Sequence, residues 1–413
     1  MTDINPTENK KFRPRHALLG AALMASVAFP ASAQFEGKTY EGIEDLPNIR
    51  LTLSDWGPSE SATGKGVRAM IDYVAEASQG KITIEPFWNA SLMTPPEHAA
   101  GIAAGLADLG NIAPIYTPTD FPVGDWLTSF GTLARGGTAF GFMSMNAAHW
   151  EFNLTNEAYL QELRDFGLEP IQGTTSPAYS MLCTKPLQTL ADFRGVRTRT
   201  TGNTYSEQVQ ALGMVPVPVQ LNETYEALSR GIIDCVVLFT TGYIDYGLMD
   251  IPGDKYYINL EFPGVNGSLM AFNKDRWDDL PEVAQEIILD GQVMRMKSNN
   301  SSELPRLREL SAMIEEDSRV HAVQPDQEVI DTLLAKQDEQ LANLVANPPR
   351  GMDDAQAAYD HYMALTEKWQ NIVTELGVER VPPTSVEAAL ASWNNDPDWD
   401  AYYQRVVDEI INR

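Results

Sequence analysis

Residues 49–87 place a strand pattern, a helix pattern and a second strand pattern end to end. IRLTLSD (49–55) alternates apolar and polar residues, the period of a half-buried strand. Val67, Met70, Ile71, Val74 and Ala75 then recur at helical spacing within 59–79, and Gly80 stops the run. KITIEPF (81–87) reads as a strand again. Strands joined through a helix run parallel with a right-handed crossover, so the chain starts a parallel, helix-covered sheet.

The pattern continues with a helix over 95–106, opened by Pro95-Pro96, and a short strand near 107–112. After a helical stretch around 139–164 a second series begins. Its predicted strands are 168–172, 178–184, 195–200 and 233–239, and its helices 203–212, 222–231 and 240–249. GVNGSLMAFN (264–273) reads as one more strand, and from Asp275 on the sequence is almost wholly helical, punctuated by Pro305, Pro348-Pro349 and Pro382-Pro383. The fold class this predicts is α/β with two lobes. Lobe I takes 34–175 plus 263–310, lobe II takes 176–262, and a helical tail, 311–413, packs over both.

Composition bounds the function. With 43% apolar residues in 413, the chain fills one large or two medium cores. A net charge of −27 argues against nucleic acid as a partner. The N-terminus carries basic KKFRPR (10–15), an apolar run from Ala17 to Phe29 and the small-residue triplet Ala31-Ser32-Ala33. This is the layout of a secretory leader, 1–33, with cleavage expected after Ala33 and an exported, periplasmic product. Cleavage leaves 26 basic against 55 acidic residues, a net charge of −29. An anionic ligand must then be caught by local positive charge.

Catalytic motifs do not emerge. The histidines at 16, 98, 149, 321 and 361 lack metal-ligand spacing, and His98 and His149 read as structural. Neither G-x-S-x-G nor G-x-G-x-x-G occurs. GPSESATGK (57–65) imitates a phosphate loop but spaces its glycines wrongly, so it reads as the start of a helix. Asp396, Asp398 and Asp400 alternate as in a calcium loop without its glycine or closing glutamate; helix N-terminal charge is the better reading. A two-lobed exported chain of this kind points to binding, with no enzyme activity, cofactor or metal expected.

Residues 185–238 carry five submotifs in order. They are Lys185-Pro186-Leu187, Asp192-Phe193-Arg194-Gly195 followed by Arg197 and Arg199, Ala211-Leu212-Gly213, Glu223-Thr224-Tyr225-Glu226-Ala227-Leu228, and Gly231-Ile232-Ile233-Asp234. Together they resemble the signature of the TRAP transporter substrate-binding proteins, the dicarboxylate-binding-protein-like periplasmic family. Gly105 to Asp108 and Trp277 to Gln285 fit the same pattern, and the resemblance covers roughly 48–345. It implies two α/β lobes with a hinged cleft that closes on a small organic acid and delivers it to membrane permease subunits. A monomer is expected. The alternatives are the binding component of an ABC importer or sensor, or an exported enzyme.

The resemblance makes Arg199 the carboxylate clamp, since a guanidinium fork binds both oxygens at once. Arg197 points to the opposite strand face and reads as structural. Carried over by position, the other binding candidates are Asp55 and Trp56 after the first strand, Trp88 and Asn89 after the second, and Tyr116. Leu221 and Leu238 follow, with Phe239 and Thr240 beside them. Relatives often carry a second arginine just before the Lys-Pro-Leu motif, but SPAYSMLC (176–183) has none, and Leu238 stands where many have Asn. The far side of the pocket is therefore expected to be apolar and the ligand a monocarboxylate with an apolar or aromatic body. Cys183 and Cys235 fall on two strands of one lobe; bonded and free states are both open, and free thiols are the expectation.

Overall fold

Two mixed sheets form the frame of the computed structural model, which describes residues 38–133, 138–173, 176–264, 268–381, 391–392 and 397–411. The leader, 1–33, lies outside the described residues. In chain order the strands are β1 (Ile49–Ser54), β2 (Ile82–Phe87), β3 (Leu109–Ile112), β4 (Leu168–Gly173), β5 (Tyr179–Cys183), β6 (Arg197–Thr200), β7 (Val215–Pro218), β8 (Cys235–Phe239), β9 (Lys255–Phe262), β10 (Leu269–Asn273) and β11 (Val320–Val323). One sheet has the order β2-β1-β3-β10-β4 and the other β11-β9-β5-β8-β6-β7. The chain passes between sheets from β4 to β5 and returns from β9 to β10. Each sheet has its own apolar core, which gives the molecule two lobes.

The first βαβ unit forms as its periodicity requires, with β1 parallel to β2 around the helix Ala62–Ala77. The loop-like GPSESATGK is the start of that helix: the Ser61 side chain caps it by accepting from the Gly64 N–H at 3.0 Å. The predicted helix over 139–164 is two helices, Ala139–Thr155 and Glu157–Asp165. Asn156 ends one and caps the next, accepting from the Tyr159 N–H at 3.0 Å. Asp398 likewise caps Trp399–Val406, in line with helix-terminal charge rather than a calcium loop.

Three strands depart from the sequence reading. β7 is the dipeptide repeat VPVP, whose prolines remove ladder donors, and it survives because it lies at a sheet edge. β9 (KYYINLEF) mixes charge with aromatics but sits between β5 and β11. β11 falls within the stretch read as wholly helical and pairs parallel with β9.

The longest helix, Glu282–Glu316, links the lobes. Ala284, Ile287 and Ile288 enter the core of the first sheet, while Leu310 enters that of the second. Pro305 lies inside it and removes one bond from its ladder. Further on, Gln327–Ala346 sends Val329 and Leu333 into the second sheet's core. Ala355–Glu375 lies against Ala139–Thr155, where Lys368 pairs with buried Glu151 at 3.0 Å and the Trp369 indole donates to it at 2.7 Å.

The cysteines correct the sequence expectation. Cys183 and Cys235 stand directly opposite each other in the antiparallel β5–β8 register and form a disulfide. Neither strand's sequence reveals that register, which is why free thiols were expected. Reduction of the unfolded protein should add two hydrogens to its mass. Replacing both cysteines by Ala should lower stability by up to about 4 kcal/mol, the chain-entropy value for a loop of this length. Mass spectrometry and urea unfolding check both outcomes; an unchanged mass would show the bond absent.

Candidate ligand-binding site

Both lobes contribute to one partly open cavity of about 120 Å³. Asp55 and Trp56 reach it from the end of β1, and Ala113, Ile115 and Tyr116 from beyond β3. This is the position beyond the carboxyl ends of parallel strands where α/β sheets hold ligands. Tyr179, Leu221 and Phe239 come from the second lobe, and Arg295, Asn299 and Glu303 from the longest helix.

Arg199 lies beside this space rather than on its lining. The side chain is 1% exposed. Its Nε donates to the Val219 carbonyl and its Nη1 to the Val237 carbonyl, both at 3.2 Å. Tyr116, on the lining, shares a side-chain hydrogen bond with Arg199; burial raises the Tyr116 phenol, and the Arg199 charge and hydrogen bond pull the other way. No carboxylate among the described residues pairs with Arg199. Two backbone carbonyls fix the orientation of the guanidinium without neutralising it. By contrast Arg197, on the other strand face, pairs with Asp234 through Nε at 3.0 Å and Nη2 at 2.8 Å.

The lobe I wall is polar. Asp55 is buried; it accepts from the Gly57 N–H at 2.7 Å and from Asn111 Nδ2 at 2.8 Å. Arg295 donates through Nη2 to Asn111 Oδ1 at 2.6 Å and through Nη1 to Gln172. Asn111 thus bridges an acid and a base that do not touch. Burial pushes Asp55 up to about 6 against the opposing pull of Gly57, Arg295 and Asn111. Burial also pushes Arg295 down to about 10, opposed by Asp55. Glu303 is pushed up to about 8, by burial first and then by the charge of Asp245. It is a neutral acid at pH 7.

The structure brings together Asp55, Trp56, Tyr116, Leu221 and Phe239 on the lining, with Arg199 hydrogen-bonded to Tyr116. It does not place the remaining candidates there. Leu238 is 1% exposed and lies in the second lobe's core, because neighbouring strand residues point to opposite faces and Phe239 takes the cavity side. Thr240 lies behind the wall and donates to the Ala178 carbonyl at 3.3 Å. Trp88 packs on the first sheet's core, and Asn89 is exposed in a left-handed turn with φ 58°. His98 and His149 are buried and hydrogen-bonded, His98 Nδ1 with the Asn111 carbonyl at 2.9 Å and His149 with Tyr362.

The far side of the pocket also departs from expectation. No arginine comes from 176–183, but Arg295 supplies one from the longest helix. Sequence reasoning missed Arg295, Asn299 and Glu303, although polar residues at i, i+4 and i+8 share one helix face. That spacing is the signal that could have found them.

Comparison with known proteins identifies the family and the fold. A periplasmic protein of Nostoc sp. that binds monocarboxylate 2-oxoacids is 24% identical over 282 residues, covering 66% of this chain and 73% of the relative. A solute receptor of Bordetella pertussis, solved binding pyroglutamic acid, superposes with a TM-score of 0.65 at 21% identity, covering 76% of this chain and 99% of that one. A TRAP periplasmic solute-binding protein from Bordetella bronchiseptica, with bound (R)- and (S)-mandelate, gives 0.63 at 20% identity, covering 78% and 99%. Residues 53–343 match the family Bacterial extracellular solute-binding protein, family 7. The chain belongs to this family, the periplasmic solute receptors of TRAP transport.

Proposed function

We propose that the exported protein captures a small monocarboxylate in this cavity, with Arg199 meeting the carboxylate beside Tyr116, and hands it to the membrane subunits of a TRAP-type transporter. The observation that carries the reading is a fully buried guanidinium with no acidic partner among the described residues. Burying a charge is expensive unless a counter-ion arrives, and here the counter-ion is the ligand.

Charge balance favours one carboxylate. Arg199 and Arg295 are positive and Asp55 negative, while Glu303 is neutral at pH 7, which leaves one positive charge. A second ligand carboxylate would be buried in excess. The volume of about 120 Å³ holds on the order of ten water-sized groups, the scale of a small acid. The relatives named for monocarboxylate 2-oxoacids, pyroglutamic acid and mandelate support the same class.

Calorimetry of the purified mature protein against matched mono- and dicarboxylates tests this. Arg199→Ala should cost roughly 2–5 kcal/mol of binding, and Arg199→Lys a large part of it, because an ammonium cannot present the planar fork. Wild-type affinity in Arg199→Ala, or tighter binding of the dicarboxylates, would overturn the assignment.

Binding should also weaken in alkali. Glu303 is protonated below about 8 and gains negative charge above it, facing Asp245 and Arg306 and lining the anion's cavity. Affinity for a monocarboxylate should therefore fall between pH 7 and 9, and Glu303→Gln should flatten that profile. A fall of equal size in Glu303→Gln would assign the effect to another group.

A further inference from the structure

The guanidinium that would meet the carboxylate is closed off from the cavity. Arg199 is 1% exposed and does not line the space. Its Nε and Nη1 donate to the Val219 and Val237 carbonyls at 3.2 Å, and a further bond joins it to the Tyr116 side chain. A guanidinium carries donors only, so the phenol oxygen is the acceptor. Tyr116 itself is on the lining. A carboxylate in the cavity can take up the donors of Arg199 only if that lining parts.

Tyr116 is the neighbour able to give way. Tyr179, a second lining ring in the field of Arg199, is buried and stacks flat on Tyr205, with centroids 4.9 Å apart and planes 2° from parallel. Tyr116 is half-buried and meets Trp56 edge-on at 6.0 Å. Its backbone is held: it ends the short turn Pro114–Tyr116, and a β-carbon at Gly202 would fall 2.3 Å from Ile115 Cγ1, so the lobes touch there with no room for a side chain. Rotation of the Tyr116 side chain is the motion left. Burial holds the phenol above its ordinary value, so it is neutral at pH 7 and satisfies a donor of Arg199 without cancelling the charge. An ionised carboxylate makes the stronger, charge-assisted bond and can take two donors at once.

We propose that Tyr116 is a displaceable stand-in for the ligand: its phenol oxygen occupies a donor of Arg199 while the site is empty and swings aside when a carboxylate arrives. The inference rests on the carboxylate reading above and adds the residue that regulates access to it. Breaking the phenol bond subtracts from the affinity for every acid, and the returning phenol competes with the carboxylate when the ligand is handed on.

Calorimetry of the mature protein with mandelate, pyroglutamate and pyruvate tests it. Tyr116→Phe should bind each acid that the wild type binds about threefold or more tighter, because no phenol bond is broken on entry. Without ligand the variant should melt below the wild type, since a buried donor has lost its partner, and saturating acid should close that gap. A side chain that only packs would leave affinity level or lower. Should Tyr116→Phe not fold, Tyr116→Leu decides by the same comparison. Affinity in the variant within threefold of the wild type, or weaker, with Arg199→Ala still impaired, overturns the stand-in and leaves the Arg199 site standing. Unchanged binding in Arg199→Ala, or no binding of any of the three acids, removes the carboxylate site and the inference with it.

Discussion

The close approach of two helices sets the geometry of the whole cavity. A β-carbon at Gly66 would fall 2.6 Å from the Arg295 carbonyl and 3.0 Å from Asn299 Cβ; one at Gly291 would fall 2.9 Å from Val74. At these points Ala62–Ala77 and Glu282–Glu316 meet almost backbone to backbone, which no side chain larger than hydrogen permits. The contact seats the longest helix against the first sheet and rotates its polar stripe toward the ligand space. Without it Arg295 would not reach Asn111, and Asp55 would lose the charge that opposes its protonation.

Electrostatics then divides the labour between the walls. Arg199 is held by carbonyls and left unneutralised, whereas Arg295 is tied through Asn111 to an acid. One arginine is buried without an acidic partner among the described residues. The other belongs to a network with Asn111 and Gln172 through its η nitrogens. In a chain this acidic, with net charge −27, such local design is the way to hold an anion.

Much of this was legible in the sequence because periodicity and motif order are local. The βαβ unit at 49–87 and the strand carrying Arg199 needed no long-range information. Pairing information was needed for the rest. The disulfide depends on which residues of β5 and β8 face each other, and β11 is a strand only because β9 offers an edge. Leu238 was recoverable: it adjoins Phe239 on one strand, and two neighbours cannot both face the same cavity. The stripe on the longest helix escaped because that stretch was read for its element type and not for which face each residue occupies.

A helix sewn to both sheets restricts how they can separate. Its N-terminal half is fixed in the first core at Ile287 and Ile288, and its C-terminal end is fixed in the second at Leu310. Any widening of the gap must be taken up as curvature of this one rod. Pro305 leaves the Ser301 carbonyl without its ladder donor, so the rod is softest one turn from Asn299 and beside Glu303. The stretch in which this helix bends most easily is thus the stretch that lines the pocket.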